Sequence, residues 1–374
     1  MSISKLSLLT FRNHSEKKIE FSQGVNVIWG ENGSGKTSII EAINILSLGK
    51  SFKTHKQKNI IKHGEKRFIV SGVFILKGKQ EKTVIQNTNK NKQTIKINNL
   101  SINNRKDLIG RNNVVVLSPE DQKITKGGPK DRRLFFDKLF SVIDSEYINA
   151  CQKYNRVLKQ RNAWLSSVYK NTNLEKTHNQ WDEQIVYYGM LLWKLRLKYL
   201  LRFEDELYQI KSKYNNEIKI KITFSKKILT KNKYIETLLN KTKKDILLGQ
   251  TSLGPHRDNI NIFFNNKDIR ETGSQGEHKI ALTLIKLSET SLIKKETGVF
   301  PTLLLDDLFA KLDLSRSQRL VEFLNDFQLS SGEQIQTIIT TTDMVNIEKS
   351  GIFSYNQKIK THKLEKNCNT LLPQ

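Results

Sequence analysis

The clearest chemistry in this chain sits in eight consecutive residues, Gly30-Glu31-Asn32-Gly33-Ser34-Gly35-Lys36-Thr37. They fit the pattern G-x-x-x-x-G-K-[ST] in full. Glycines at 30, 33 and 35 let the backbone turn tightly and approach phosphate oxygens. The loop amides and a following helix N-terminus then form a positive concavity for a polyphosphate. Lys36 is placed to bridge terminal phosphates, and the Thr37 hydroxyl to ligate Mg²⁺.

A second set of candidates lies far along the chain. Leu303-Leu304-Leu305-Asp306-Asp307 reads as an apolar strand ending in two carboxylates. Buried strands carry few charges, so the pair needs a reason. Open α/β sheets bind ligands at this edge. There Asp306 would hold the Mg²⁺ shell, and Asp307 would accept a proton from, or orient, an attacking water. A helix cap just past a strand is the alternative reading. Upstream, Gly273-Ser274-Gln275-Gly276-Glu277 opens a helix and forms either an anion site or only a cap. Residues 50–67 contain seven Lys/Arg and the single acid Glu65. Lys53, Lys56, Lys58, Lys62 and Arg67 are its candidate DNA-phosphate contacts; a solvated basic face is the competing reading.

These groups need elements to hold them. Segments 3–9 and 25–29 read as strands, and apolar residues from Ile39 to Leu46 recur at helical spacing. Strand, glycine loop, helix is the context the first motif requires. Segments 68–76, 83–86 and 94–100 suggest an antiparallel meander, and 114–117 a compact strand. From about 132 to 245 the pattern is mainly helical and proline-free, with helices over 134–158, 181–195 and 234–248, and a strand near 218–224. Strand 260–264, helix 280–293, strand 302–306, helix 316–327 and strand 337–340 follow. The expected organisation is an α/β nucleotide fold split in two, residues 1–130 and 246–374, around an inserted helical lobe, 131–245.

The 374 residues carry 63 Lys+Arg against 37 Asp+Glu, a formal charge of +26. Such an excess favours a polyanionic partner, DNA or RNA, although codon drift in an AT-rich genome also enriches lysine. Two distant cysteines argue against a disulfide framework or zinc site. With no signal-peptide pattern and no bilayer-spanning apolar run, a cytoplasmic protein without membrane contact is expected.

Taken in order, the motifs resemble the ABC-type ATPase superfamily and, within it, the RecF family. Phe11-Arg12-Asn13-His14, the phosphate loop, Ser51-Phe52-Lys53-Thr54, Ser118-Pro119-Glu120-Asp121, Gly128-Pro129, Gly254-Pro255-His256-Arg257-Asp258, Ser274-Gln275-Gly276, Leu305-Asp306-Asp307, Leu312-Asp313 and Thr340-Thr341-Thr342 all follow that family's sequence order. The resemblance implies an ABC-type P-loop ATPase head, a mixed sheet with an antiparallel meander, and a short helical lobe. It implies ATP with Mg²⁺, with Arg12 and Asn13 near the nucleotide. It further implies an ATP-dependent head-to-tail homodimer in which Ser274, Gln275 and Gly276 of one copy cap the other's nucleotide, with slow hydrolysis.

The implied partners are single-stranded and gapped or junction double-stranded DNA, with RecR and RecO in one pathway that loads RecA recombinase. Replication, recombinational repair and the SOS response are the implied setting. Glu277 departs from the glutamine common in the family. The Q-loop position is open between Gln122 and the stretch 118–121. The ATPase subunit of an ABC transporter is the rival reading; the basic charge, the helical insertion and the Phe11–His14 and Gly254–Asp258 elements weigh against it.

Overall fold

The computed structural model describes residues 1–54, 56–90, 92–170, 180–215, 217–224, 229–307, 332–354 and 358–365, together with 314, 315, 317–319, 321, 322 and 325. The expected helix 316–327 and the Leu312-Asp313 element lie largely or wholly outside these residues. The chain forms two compact units: 1–122 with 213–215 and 283–374, and 123–212 with 216–282.

The first unit holds two sheets. One is antiparallel, with strands in the order His14–Glu20, Ser2–Phe11, Arg67–Leu76, Lys79–Thr88, Gln93–Ile97, Leu100–Ile102. The other is parallel, in the order Ile359–Leu364, Val25–Gly30, Thr337–Thr341, Thr302–Asp306, Val114–Leu117. Its inner strands Thr337–Thr341 and Thr302–Asp306 are buried at every position, as a parallel sheet covered on both faces requires. The helix Lys36–Leu48 joins a single apolar core with both sheets, among them Phe11, Phe68, Ile39, Ile43, Leu304 and Ile338. At Gly72 a Cβ would lie 2.7 Å from the Leu46 side chain, so the glycine makes room for the helix on the antiparallel sheet.

One buried amide ties the start of the chain to its far end. Gln336 Oε1 accepts from the Ile3 N–H at 2.7 Å, and its Nε2 donates to the carbonyls of Ile3 and Ser22, both at 2.7 Å. The Thr302 hydroxyl donates to the same Oε1 at 3.2 Å.

The second unit is mainly helical, with helices Pro129–Ile143, Ser145–Lys170, Trp181–Tyr214, Lys231–Asn240 and Thr242–Leu248. It also holds a three-stranded antiparallel sheet, Lys267–Asp268, Ile260–Phe264, Ile220–Phe224. The single helix expected over 134–158 is two helices. Asp144 leaves the helical region (φ −142°, ψ 118°), and its carboxylate accepts the Glu146 N–H to start the next helix.

Residues 246–282, assigned to the nucleotide fold from sequence, cluster with the helical unit instead. Strand Ile260–Phe264 pairs there with Ile220–Phe224, and the Gly254–Asp258 turn is the unit's polar hub. Asp258 accepts from Arg196 Nη1 at 2.5 Å and Trp193 Nε1 at 2.9 Å. The His256 ring is bonded to the Tyr154 hydroxyl at 2.6 Å and the Thr251 carbonyl at 2.9 Å. Gly254 has φ +135°, and a Cβ would sit 2.3 Å from the Tyr154 oxygen, so no other residue fits. Arg133 donates to the Asp258 carbonyl and Arg132 is 1% exposed; both belong to this packing.

Candidate nucleotide site

The loop 30–37 leaves strand Val25–Gly30 and runs into helix Lys36–Leu48, as the motif requires. Gly33 and Gly35 have φ of +84° and +95°, a region costly for any side-chain-bearing residue. Space forbids one at 35 as well, because a Cβ there would lie 2.4 Å from His14 Nε2 and 2.7 Å from Asn13 Oδ1. Asn13 Nδ2 donates to the Gly33 carbonyl at 3.1 Å, and His14 Nε2 bonds the Gly35 carbonyl at 3.2 Å. The Phe11–His14 element is therefore a brace for the glycine loop. Burial is the main cause lowering the His14 pKa, opposed by the Gly35 carbonyl and reinforced by Lys17 and Lys62.

Arg12, at φ +56°, fastens the loop's helix from the side. Its Nε and Nη2 donate to both oxygens of the buried Glu41 at 2.8 and 2.6 Å, and Nη1 donates to the Asn59 carbonyl at 2.5 Å. The Ser51 hydroxyl donates to the same Glu41, which gives Ser51 its role in the element Ser51–Thr54. Both guanidinium edges are committed within the protein, so Arg12 shapes the wall of the site.

The acidic strand end lies opposite. Thr37 Oγ1 and Thr340 Oγ1 both donate to Asp306 Oδ1, at 2.9 and 2.7 Å. Burial raises the Asp306 pKa; the two threonine hydroxyls and Lys53 act against it, and the charge of Glu120 acts with it. Asp307 takes φ +53° and donates its N–H to the Thr340 carbonyl at 3.1 Å. Lys36 Nζ donates to the carbonyls of Gly30 and Glu31 at 2.7 and 2.8 Å. Desolvation lowers its pKa, opposed by Asp307 and then Asp306. Together these groups line a cleft of about 800 Å³, with Arg12, Asn13, Asn32, Gly33, Gly35, Lys36, Thr37, Asp306, Asp307 and Thr340 on its walls.

The donor set suits a divalent cation and a polyphosphate. Thr37 and Asp306 present hard oxygens within hydrogen-bond distance of each other, the type that Mg²⁺ takes. Asp307 Oδ1 and Ser34 Oγ are buried with no partner among the described residues, as expected of groups whose partner is a ligand.

The remaining candidates separate. Lys53 and Lys62 line the cleft, whereas Lys56, Lys58 and Arg67 are exposed. Lys62 Nζ also donates to the Ser15 hydroxyl. Ser274, Gln275 and Gly276 belong to the second unit and are not among the residues lining the cleft. Ser274 and Glu277 form a reciprocal cap: the Ser274 N–H donates to Glu277 Oε2 at 2.8 Å and the Glu277 N–H to Ser274 Oγ at 3.2 Å. A glutamate at 277 thus has a local structural reason. Asn59, Ile61 and His63 also line the cleft and were missed from sequence; nothing in their spacing marks them.

The chain matches the family described as the RecF/RecN/SMC N terminal domain over residues 2–367. A Clostridium novyi protein called DNA replication and repair protein RecF is 36% identical over 355 residues, 93% of this chain and 95% of that one. Its Clostridioides difficile namesake is 35% identical over 342 residues, 88% and 90% of the two chains. The solved structure of the recombination mediator protein RecF-ATP in the RecFOR pathway matches with a TM-score of 0.81 at 30% identity, covering 91% of this chain and 92% of that one. The Smc head domain from Pyrococcus furiosus shares the fold, with a TM-score of 0.55 at 17% identity over 97% of this chain and 94% of that one.

Proposed function

This chain belongs to the RecF/RecN/SMC N-terminal domain family, as a RecF-type member with an ABC-type ATPase head, and on that premise we propose that it is an ATP-dependent DNA-binding protein of replication and repair. The observation that carries the reading is the convergence of Thr37 and Thr340 on one oxygen of Asp306 beside the glycine loop. The same cleft holds Lys36 and Asp307, and the buried Asp307 Oδ1 has no hydrogen-bond partner among the described residues.

In this reading the amides of Gly30–Thr37 wrap the β- and γ-phosphates, and Lys36 moves from its two carbonyls to the terminal phosphates. Asn13 and Arg12 keep the loop in its phosphate-ready shape. Thr37 and Asp306 hold Mg²⁺, which supplies positive charge against the developing negative charge of phosphoryl transfer. Asp307 orients the attacking water and accepts its proton. Ser274, Gln275 and Gly276 of a second copy cap the γ-phosphate, so ATP favours the dimer through its differential affinity for that state. Slow, DNA-stimulated hydrolysis then acts as a switch.

The bound polymer is single-stranded or gapped and junction double-stranded DNA, gripped through its phosphates by exposed cations including Lys56, Lys58 and Arg67. RecR, with RecO in the same pathway, is the protein partner. The outcome is loading of RecA at gaps and stalled forks, with SOS induction downstream, in the cytoplasm. Among the described residues no helix is long and apolar enough to cross a membrane.

Light scattering with and without ATP and gapped DNA tests this on wild type, Lys36→Met and Ser274→Arg. Dimerisation with ATP is expected in wild type only. An ATP-independent dimer in all three proteins rules the reading out.

A further inference from the structure

Strands Val114–Leu117 and Thr302–Asp306 are parallel neighbours with Leu117 opposite Leu305. The short turn Pro119–Gln122 therefore leaves the sheet at the level of Asp306, on the edge where the cleft opens. One carboxylate oxygen of this turn, Glu120 Oε2, is buried and has no hydrogen-bond partner among the described residues. A buried, unpartnered acceptor is costly and calls for a cause outside the protein. Electrostatically, Glu120 acts on Asp306 across this edge. Gln122, the last residue of the turn, already has an interaction within the protein.

The turn is also pinned from beneath. Asp121 Oδ2 accepts from both the N–H and the hydroxyl of Ser118, each at 2.8 Å. The other Asp121 oxygen pairs with Lys286 Nζ at 3.3 Å, and Lys286 pairs in turn with Glu289 at 2.9 Å. Lys286 lies in the helix Gln275–Thr297 and is 4% exposed, against the sheet beside Leu117 and Leu305. An apolar residue would fill this place at no electrostatic cost. A lysine here instead fixes where the Asp121 turn must lie.

We propose that Glu120 is a third carboxylate of the nucleotide site, facing the water shell of the cation held by Thr37 and Asp306, and that Lys286 is its positioning residue through Asp121. The inference rests on the reading that the cleft binds a metal–nucleotide complex. It assigns the open position in the stretch 118–122 to a carboxylate instead of the amide of Gln122. Outer-shell groups of this kind set metal affinity by about 10–100-fold.

The test uses Mn²⁺ and the non-hydrolysable analogue AMP-PNP with the full chain. The protein-bound Mn²⁺ is read by the line shape of its electron paramagnetic resonance. Glu120→Gln is expected to raise the Mn²⁺ concentration for half-saturation about 10–100-fold, with AMP-PNP binding in EDTA unchanged. Lys286→Met is expected to move it in the same direction and Lys286→Arg to recover most of it, while thermal melts report whether each variant folds. If Lys286→Met fails to fold, Lys286→Arg carries the positioning arm and Glu120→Gln the carboxylate arm.

A wild-type Mn²⁺ titration for Glu120→Gln overturns the role of Glu120. A folded Lys286→Met that titrates like wild type overturns the role of Lys286. Should wild type itself hold no Mn²⁺–AMP-PNP, the nucleotide reading fails and this extension falls with it, whereas a wild type that binds beside an unaltered Glu120→Gln overturns the extension alone.

Discussion

Asp306 and Asp307 are adjacent in sequence and differ in what surrounds them. Asp306 accepts two threonine hydroxyls on Oδ1, whereas Asp307 Oδ1 is buried with no partner among the described residues. This division predicts that Asp307→Asn binds ATP with near-wild-type affinity while turnover falls about 10²–10⁴-fold, read by calorimetry and phosphate release. His14 gives a second residue-level prediction. Its pKa in the folded chain lies below the unfolded value of about 6.5. Its contribution to stability is therefore complete above that value and is lost as pH falls through the lower folded one. Melting temperature should drop below about pH 6.5, and more gently in His14→Asn; equal slopes in the two proteins would show that the histidine does not set the drop. At this scale the glycine loop and the acidic pair were legible because each is a contiguous run with a fixed spacing. Asn59, Ile61 and His63 were not, because only the folded path of the chain after the helix Lys36–Leu48 brings them to the cleft.

At the scale of elements, the buried strands and long helices were readable, and so were the edge strands Val114–Leu117 and Ile220–Phe224, but two other edge strands were not. His14–Glu20 and Ile359–Leu364 each end a sheet and are mostly polar, with Ile19 the one apolar residue of the first and Ile359 and Leu364 those of the second, so neither carries a continuous apolar signal. The Gly254–Asp258 element was recognised by order alone, and its physical role needed the packed helices around it. Arg196 there is 1% exposed and pairs with both Asp137 and Asp258. Removing one partner of such a buried set costs about 3–5 kcal/mol, because the remaining charges stay buried. Urea denaturation of Arg196→Met should show that loss in the helical unit. A change below about 1 kcal/mol would show that water reaches the hub and screens it.

Across the whole molecule, basic residues outnumber acidic ones, 63 Lys+Arg against 37 Asp+Glu. With a formal +26, affinity for DNA should fall steeply with salt. Neutralising Lys56, Lys58 and Arg67 together should lower the slope of log K against log salt by about 0.7–0.9 for each phosphate they no longer neutralise, without altering sequence preference. An unchanged slope would move the DNA-binding surface away from segment 56–67. The Gln336 amide carries a consequence of another kind. Strand Ser2–Phe11 is stitched through Ile3 to a residue 333 positions later, and Val25–Gly30 waits for Thr337–Thr341 and Ile359–Leu364 as its two sheet neighbours. A ribosome must therefore pass residue 336 before strand Ser2–Phe11 can settle. The second unit, whose residues all precede 283, is free to form while translation is still under way. Stalling translation between the codons for residues 283 and 336 should yield nascent chains with a protease-resistant middle and a digestible beginning.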